Sequence, residues 1–399
     1  MVNPVHPDTQ HISAVRAWRF AQELAALGHR VVFLTVPQLG KTSVFAAPLA
    51  AHDWTQPHVL AVDGGAHSQT VLPPPFRRLR TAWQMVVEGG ARGQWVRNGV
   101  SAVVQQLAQF RPDVVWCTFG MMEAVFAAKQ IAKSAACTWV LDIKDNWALY
   151  VPPGLRRLMV WRTHGWAAIT ANAEFTANQA RLWQHADGCV IYSGVDDAFL
   201  AHVPEAGGDD NQINITLVGS LYFPDCLDVL LQGIQLWSAS LTPLERQRVS
   251  VSYLGGDIEM FQRAVHRWIT GICTVAHGYV PAIELAKLCR ASTVNVYVAH
   301  AGGFHHKLLE LLACEQPILV YPAESDESRL LAKEVGGELF EATAPDNVAG
   351  LLAQICGRRR PGAPVKTKGK THRRYSWADQ ALQLERVLLS AISTNAKND

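Results

Sequence analysis

The residues with the clearest potential for chemistry lie in 302–319, which reads GGFHHKLLELLACEQPIL. A spacing of three residues places Lys307 and Glu310 on one face of a predicted helix. An ammonium near a helix start suits a diphosphate, because the dipole and free amides attract the same charge. A carboxylate one turn further along can accept hydrogen bonds from both hydroxyls of a ribose. The spacing is equally typical of a Lys–Glu pair on a solvated helix, and alone it does not decide between the two.

Most familiar catalytic and cofactor motifs are missing from the sequence. It contains no G-x-G-x-x-G for a dinucleotide, no G-x-x-x-x-G-K-[ST] for a nucleotide triphosphate, and no G-x-S-x-G for a hydrolase. The eight cysteines form no C-x-x-C pair, and the adjacent His305 and His306 would diverge on a helix. We therefore predict neither a cofactor nor a metal site.

Length and composition favour a globular protein of two domains. The 399 residues are 49% apolar and 18% charged, which excludes a disordered or collagen-like chain and leaves each half enough residues for its own core. No apolar run reaches the roughly 18 residues that span a bilayer, and the start, MVNPVHPDTQ, is unlike a signal peptide. Scattered cysteines are typical of reduced thiols, so we expect a cytoplasmic enzyme.

The elements that would position the candidate residues alternate between strands and helices. This alternation predicts βαβ units and two parallel sheets, which bind ligands beyond the carboxyl ends of their strands. A polar linker near 197–212 separates the two sets, and a last helix is predicted at Ala378–Ile392. Only Val2 and Asn3 precede Pro4, so the first strand is either very short or cut by a late start. The predicted strands are 31–36, 114–118, 137–142, 167–170 and 189–192, followed by 214–220, 249–256, 273–280, 293–299, 316–322 and 337–342.

The charges are distributed unevenly behind a formal net charge of +2. Residues 1–196 carry 17 basic and 12 acidic side chains, whereas 197–357 carry 9 basic and 19 acidic ones. The stretch 358–374, RRRPGAPVKTKGKTHRR, has eight basic residues and no acid. It fits a solvated, flexible connector, with contact to an anionic partner as the alternative. No nucleic-acid-binding motif accompanies it, so we expect no nucleic-acid partner.

Tryptophan is concentrated in the first half, with ten of the 13 before residue 184. Several stand beside arginines, as in PPPFRRLRTAWQ, GGARGQWVRN and GLRRLMVWRTHGW. Arginine and tryptophan on amphipathic segments are typical of a surface that rests on anionic lipid. The alternative is ordinary packing, with Trp116 and Trp139 in buried strands.

The motifs taken together resemble the retaining family-4 glycosyltransferases of the GT-B fold. This resemblance implies an α/β protein in which two Rossmann-like domains face each other across a cleft. The implied domains are an acceptor-side domain at 1–196, a nucleotide-sugar-binding domain at 197–375, and a helix at 376–399 that crosses back to the first domain. Besides 302–319, the matching segments are LGHRVVFLT, RPDVVW, ITAN, VIYSGVDDAF, LVGSLY, GYVPAIELAKLCRASTVNVYV and the terminal YSW.

Site residues follow from the resemblance position by position. Lys307 would bind the donor diphosphate and Glu310 the ribose hydroxyls. In the first domain, DIKDNW at 142–147 resembles the D-x-R-D-x-W segment of one subgroup, and its Asp145 would face the reacting centre; the alternative for Asp145 is a turn or helix cap. The catalytic candidates are thus Asp145 and Lys307. The other donor-side candidates are Gly219 and Ser220 near the phosphates, Tyr279 and Val280 around the base, and Gly303, Phe304 and His306; His11 and Arg16 are the acceptor-side candidates.

Two departures from the family pattern concern the donor. Gly302 occupies the position where many members carry a glutamate that contacts the donor sugar. The segment LYFPDCLD after Ser220 lacks the arginine or lysine that other members carry there.

The implied activity is metal-independent transfer of a sugar from a nucleotide diphosphate sugar to an acceptor hydroxyl, with retention. The acceptor would be a lipid-linked saccharide in surface polysaccharide or glycolipid assembly, and the protein would be cytoplasmic with peripheral contact to an anionic membrane. The alternative is a GT-B-fold partner subunit that binds ligands without catalysis.

Overall fold

The structure, a computed structural model, describes residues 1–9, 12–38, 49, 52–64, 74–201, 212–299, 304, 306–358 and 372–395. Within this range the chain forms two units. The first comprises Met1–Gly194 together with the C-terminal segment from Trp377, and the second comprises Val195–Ser376. Most of the linker at 197–212 and of the basic stretch at 358–374 lies outside the described residues.

The first unit is built on parallel strands. In chain order β1 pairs with β2, while β3, β4, β5 and β6 pair in sequence, and every pair is parallel. Val2 joins the two groups, because its backbone bridges Leu34 of β1 and Cys117 of β3. The segment before Pro4 therefore acts as a very short strand in the middle of the sheet. The strands are β1 (Val32–Thr35), β2 (His58–Ala61), β3 (Val114–Phe119), β4 (Thr138–Ile143), β5 (Ala168–Ala171) and β6 (Cys189–Val190).

Helices cover both faces of this sheet with apolar stripes. On α1, Ala17, Phe20 and Leu24 recur at helical spacing and are buried. On the other face, Val125, Ala128 and other apolar residues of α4 pack on Val115 and Leu141 of the sheet. The helices of this unit are α1 (Ile12–Ala26), α2 (Pro74–Trp83) with a π-helical continuation (Gln84–Glu88), α3 (Gly93–Val104), α4 (Met122–Ala135), α5 (Trp147–Tyr150), α6 (Arg156–Thr163) after a 3₁₀ turn (Pro153–Leu155), and α7 (Glu174–Gln184).

The second unit has a parallel sheet of order β12-β11-β10-β7-β8-β9. Strand 294–298 (VNVYV) is buried at every position and strand 318–321 (ILVY) at all but its last, because helices cover both faces of the sheet. The strands are β7 (Ile213–Val218), β8 (Val249–Leu254), β9 (Cys273–Ala276), β10 (Val294–Val298), β11 (Ile318–Tyr321) and β12 (Leu339–Glu341). The helices are α8 (Asp197–Leu200), α9 (Pro224–Ala239), α10 (Pro243–Arg246), α11 (Ile258–Trp268), α12 (Ala282–Ala291), α13 (Lys307–Ala313), α14 (Asp326–Val335) and α15 (Pro345–Arg358), followed by a 3₁₀ turn (His372–Tyr375).

The last helix, α16 (Trp377–Asn395), packs on the first unit against α1 and strands β3 to β5. The Trp377 ring meets that of Phe20 edge-on, with centroids 5.3 Å apart. Leu384 and Leu388 of the same helix are buried beside them, and burial of each leucine contributes about 1.5–3 kcal/mol. The chain thus returns to its first unit, as the resemblance implies.

None of the helices in the described ranges is both long enough and apolar enough to cross a lipid bilayer.

The junction between Gly194 and α16 leads to a stability prediction. A Cβ at Gly194 would overlap the backbone of Trp377, which cannot move without displacing the helix. We expect Gly194→Ala to lower the free energy of unfolding by about 1–3 kcal/mol, measured by thermal and urea denaturation. Gly154→Ala is the matched control, because a Cβ there meets nothing within 4 Å. Equal stability of the two variants would contradict this account of the junction.

Candidate functional site

Asp142 lies at the centre of a buried polar network at the end of β4. Its side chain has no exposed surface and accepts four hydrogen bonds. Arg16 of α1 donates two of them, at 3.0 Å from Nε and 2.7 Å from a terminal nitrogen. Thr118 of β3 and Thr170 of β5 donate the others, at 2.9 and 2.8 Å. A buried carboxylate needs such donors, so the network fixes the carboxyl ends of three strands against α1.

The network determines where the acceptor-side candidates lie. Arg16 is fully buried and directs its guanidinium at Asp142 and, at 3.3 Å, at the Ser193 hydroxyl. The structure therefore places Arg16 beneath the sheet edge, in a supporting position, rather than on a surface that an acceptor could touch directly. His11, the other acceptor-side candidate, lies outside the described residues.

Asp145 follows the same strand and is partly exposed. Its side chain is 28% exposed, and Oδ2 lies 3.5 Å from Nζ of Lys144. The cap of α5 is Asn146, which accepts a hydrogen bond from the backbone of Ala148. Asp145 is therefore not the helix cap, and its carboxylate stays available at the sheet edge. A Cβ at Gly120 would lie 3.0 Å from Oδ2, so the backbone of Gly120 lies directly against the carboxylate.

Lys144 is a part of this group that the sequence did not single out. It is 7% exposed and donates a 2.6 Å hydrogen bond to the Ser13 hydroxyl of α1. Burial lowers the pKa of Lys144, although the nearby carboxylate of Asp145 opposes the shift. Asp145 thus has a cation as its nearest charged neighbour, on a side chain that packing holds in place.

In the second unit, Tyr253 connects the turns that follow β7 and β8. Its hydroxyl donates to the carbonyl of Gly219 at 2.9 Å and accepts from the backbone N–H of Asp257 at 3.0 Å. The Asp257 carboxylate accepts from the backbone N–H of Leu221 at 2.8 Å. These bonds fix the turn that contains the donor-side candidates Gly219 and Ser220. Gly219 has φ +96°, a conformation that favours glycine.

Side chains pack closely on the backbone of Gly255 and Gly256 beside this connection. A Cβ at Gly255 would overlap the Tyr253 hydroxyl, and one at Gly256 would lie 2.7 Å from the Tyr279 ring. Tyr279 therefore packs on the backbone of Gly256 while 63% of its surface stays exposed. Val280 follows it, half-buried, before α12 begins. An exposed ring on this edge offers a face on which a base can stack.

Lys307, Glu310 and His306 form a compact charged group at the start of α13. Nζ of Lys307 donates to Oε2 of Glu310 at 2.6 Å, and Nε2 of His306 lies 3.5 Å from Oε1. The side chains of Lys307 and Glu310 are only 27% and 12% exposed. The pair is therefore mostly removed from solvent, unlike the ordinary solvated pair that the spacing alone allowed.

The electrostatics of this group keep both charges in place. Burial alone would raise the pKa of Glu310, but Lys307 and His306 outweigh it and hold that pKa well below its usual range. Burial opposes the charge on Lys307, but Glu310 outweighs it and raises the pKa of Lys307, with smaller contributions from Cys289 and Tyr279. An ammonium and a carboxylate thus coexist, ionised, in a sheltered position.

The second-unit candidates gather at one edge of the sheet. Gly219 and Ser220 follow β7, Gly256 follows β8, Tyr279 and Val280 follow β9, and α13 follows β10. In a parallel sheet these positions share the carboxyl edge, where ligands bind. Phe304 lies half-buried just before α13, and Gly303 lies outside the described residues. In the described part of the chain, no group of three or more His, Cys, Asp or Glu side chains is arranged to hold a metal ion.

Comparison with known proteins identifies the fold. No protein-family model matches the chain, and no curated protein matches it in sequence. Among solved structures, sucrose-phosphate synthase from Thermosynechococcus elongatus matches with a TM-score of 0.68 and 14% identity, over 96% of this chain and 94% of its own. A glycosyltransferase from Rickettsia africae matches with 0.67 and 12%, over 98% and 97%. An α,α-trehalose-phosphate synthase (UDP-forming) from Burkholderia vietnamiensis matches with 0.64 and 13%, over 98% of each chain. The chain has the α/β GT-B fold with two Rossmann-like domains, which confirms the predicted fold class.

The hydroxyl of Tyr253 leads to a prediction about the turn at Gly219. Tyr253→Phe leaves the Gly219 carbonyl and the Asp257 N–H without their partner, so we expect a loss of about 1–3 kcal/mol in the free energy of unfolding. Tyr321→Phe is the matched control, since its half-buried ring also packs on the second-unit core and its hydroxyl makes no hydrogen bond to any described residue. Denaturation of both variants measures the difference, and equal stability would contradict the proposed connection.

Proposed function

We propose that the protein is a glycosyltransferase that moves a sugar from a nucleotide diphosphate sugar to an acceptor hydroxyl. The observation that carries this proposal is the sheltered Lys307–Glu310 pair at the carboxyl edge of the second-unit sheet. That edge is where an α/β fold of this kind binds ligands.

The pair offers two functions that a nucleotide diphosphate needs. The Lys307 ammonium is a compact cation on a flexible stem, which can turn from Glu310 towards a phosphate. The ionised Glu310 can accept hydrogen bonds from two ribose hydroxyls. The turn at Gly219 and Ser220 brings backbone near the phosphates, and Tyr279 with Val280 frames the base. We assign Gly303, Phe304 and His306 to the same donor side.

The matched structures support a diphosphate leaving group. The trehalose-phosphate synthase from Burkholderia vietnamiensis is described as UDP-forming. A related solved structure from Staphylococcus aureus, an 11% identical match with a TM-score of 0.53, is a complex with UDP. These statements concern those proteins, and they make nucleoside diphosphates the first ligands to test on this one.

In the proposed reaction the bond from the anomeric carbon to the diphosphate oxygen breaks, and a bond from that carbon to the acceptor oxygen forms. The departing diphosphate takes the electron pair, and the proton of the acceptor hydroxyl is released to solvent. Lys307 and nearby amides would stabilise the charge on the leaving group, which is the usual electrostatic route. Asp145, held beside Lys144, is our catalytic candidate in the first unit, where it would face the reacting centre. We propose retention at the anomeric carbon and independence from a metal ion, and we assign no nucleophile.

For the acceptor we propose a lipid-linked saccharide, in surface polysaccharide or glycolipid assembly. The support is the arginine- and tryptophan-containing segments of the first unit, which suit contact with an anionic membrane from the cytoplasmic side. A partner subunit without catalysis, the alternative of the sequence analysis, would bind nucleotide and turn over no sugar donor.

The donor site is tested by comparing a nucleotide with its diphosphate alone. We expect Lys307→Ala to weaken both UDP and inorganic pyrophosphate by about ten- to a hundredfold, because it removes the cation. Glu310→Gln should weaken UDP and leave pyrophosphate binding as tight or tighter, because only the ribose contact is lost. Titration calorimetry measures both, with GDP, ADP and TDP as further ligands.

Two exposed residues of the second unit provide controls, Lys333→Ala and Glu259→Gln, which remove the same charges elsewhere. Wild-type affinity of the Lys307 and Glu310 variants for every nucleotide would overturn the site assignment.

The catalytic role of the Asp145 carboxylate is tested by Asp145→Asn. We expect turnover of the nucleotide sugar, followed as release of nucleoside diphosphate, to fall by about a hundredfold or more. Nucleotide affinity should stay unchanged, because Asp145 is not among the residues proposed to bind the nucleotide. Asp113→Asn, an exposed carboxylate of the same unit, is the control. Unchanged turnover in Asp145→Asn would remove that residue from the mechanism.

A further inference from the structure

A stripe of large apolar side chains on α2 and its π-helical continuation faces solvent. Phe76, Leu79, Trp83 and Val87 are 59%, 69%, 61% and 51% exposed. At 3.6 residues per turn the first three lie within an arc of about 60°, and Val87 continues the line four residues later. Four large apolar residues in one exposed line are unlike the scattered apolar residues of an ordinary protein surface.

The segment of sequence that carries this stripe is mostly basic. Residues 74–97 contain five arginines and one acid, Glu88. Arg80 lies in the last turn of α2. The second unit has the opposite balance, since residues 197–357 carry 19 acidic and 9 basic side chains. The apolar stripe therefore lies in a basic segment of the sequence.

A second exposed apolar group lies close to the first. Trp161 and Leu158 of α6 are 73% and 37% exposed, and α6 also carries Arg157 and Arg162. Phe126 of α4 links the two groups. A Cβ at Gly89, which ends the π-helical segment, would lie 3.1 Å from the Phe126 ring, and the Arg162 guanidinium lies 5.1 Å from the centroid of that ring. Both groups thus border the same buried residue of the first unit.

We infer that this surface, the apolar–basic face formed by Phe76, Leu79, Trp83, Val87, Leu158 and Trp161, docks on an anionic lipid bilayer. The inference deepens the proposed function, on whose lipid-linked acceptor it rests. Apolar and aromatic side chains enter the boundary between headgroups and acyl chains, where tryptophan is favoured. Arginines beside them contact anionic headgroups, each adding to the attraction over a short range. The scarcity of acids matters because a carboxylate would be repelled by the same headgroups.

Co-sedimentation with vesicles tests the inference. The 399-residue protein should sediment with phosphatidylcholine vesicles that contain about 25% phosphatidylglycerol, and less with pure phosphatidylcholine. Raising the salt from about 0.05 to about 0.5 M should weaken the binding. We expect Leu79→Glu/Trp83→Glu to reduce vesicle affinity about tenfold or more, and Trp161→Glu to reduce it by a smaller factor.

The matched control is Leu244→Glu/Leu330→Glu, which alters two second-unit leucines that are 62% and 66% exposed. It should sediment as the wild type does. Wild-type binding by Leu79→Glu/Trp83→Glu, or a wild type that ignores anionic vesicles, overturns the inference. If light scattering shows instead that the double variant only changes the mass of the protein in solution, the face joins copies of the chain, and the membrane inference is equally overturned.

Nucleotide binding by the same variants separates this inference from the proposed function. Affinity for UDP should be unchanged in every face variant, which also shows that the second unit is folded. Vesicle binding without binding of any nucleotide would refute the donor site while the membrane-docking face stands.

Discussion

The carboxylate of Asp142, near the end of β4, has no exposed surface. The hydrogen-bond donors that it requires come from several elements of the first unit. Two come from Arg16, one from Thr118 and one from Thr170. Removing one partner of such a buried ion pair lowers the stability by about 3–5 kcal/mol. The network therefore holds α1 against the carboxyl ends of β3, β4 and β5. Ser13, Lys144 and Asp145 lie next to this network, and their contacts are therefore held by the same elements.

In the second unit, side-chain hydrogen bonds to the backbone fix the turns at the sheet edge. Its turns after β7 and β8 contain glycines, which alone would leave the backbone free to move. The Tyr253 hydroxyl and the Asp257 carboxylate remove that freedom with three hydrogen bonds to the backbone. The charged group of α13 therefore lies beside turns that are already fixed, and ligand binding there would spend little of its energy on ordering them.

The sequence predicts two Rossmann-like domains, and it predicts that Lys307 and Glu310 share one helix face, because both depend on residues close together in the chain. Strand periodicity and helical spacing carry that information directly. The GT-B fold itself is implied by the family resemblance. The contact of Lys144 with Ser13 was not predictable in this way, since it joins residues 131 positions apart. Nor does the spacing of α1 show that Arg16 points at a buried carboxylate. The number of tryptophans likewise does not show which of them are buried. Trp116 and Trp139 are buried in strands, as one interpretation expected, whereas Trp83 and Trp161 are exposed.

The first and last residues of the second unit lie next to each other. Val195 donates a hydrogen bond to the carbonyl of Tyr375 at 2.7 Å, and its backbone bridges Ser376. The two ends of Val195–Ser376 are thus adjacent, which is the geometry of a domain inserted into a host, and adjacent ends allow an insertion without disturbing the host fold. During evolution, a segment with adjacent ends can be replaced, or can change in sequence, as one unit. The residues assigned to the donor and those assigned to the acceptor could then have varied independently within one continuous gene.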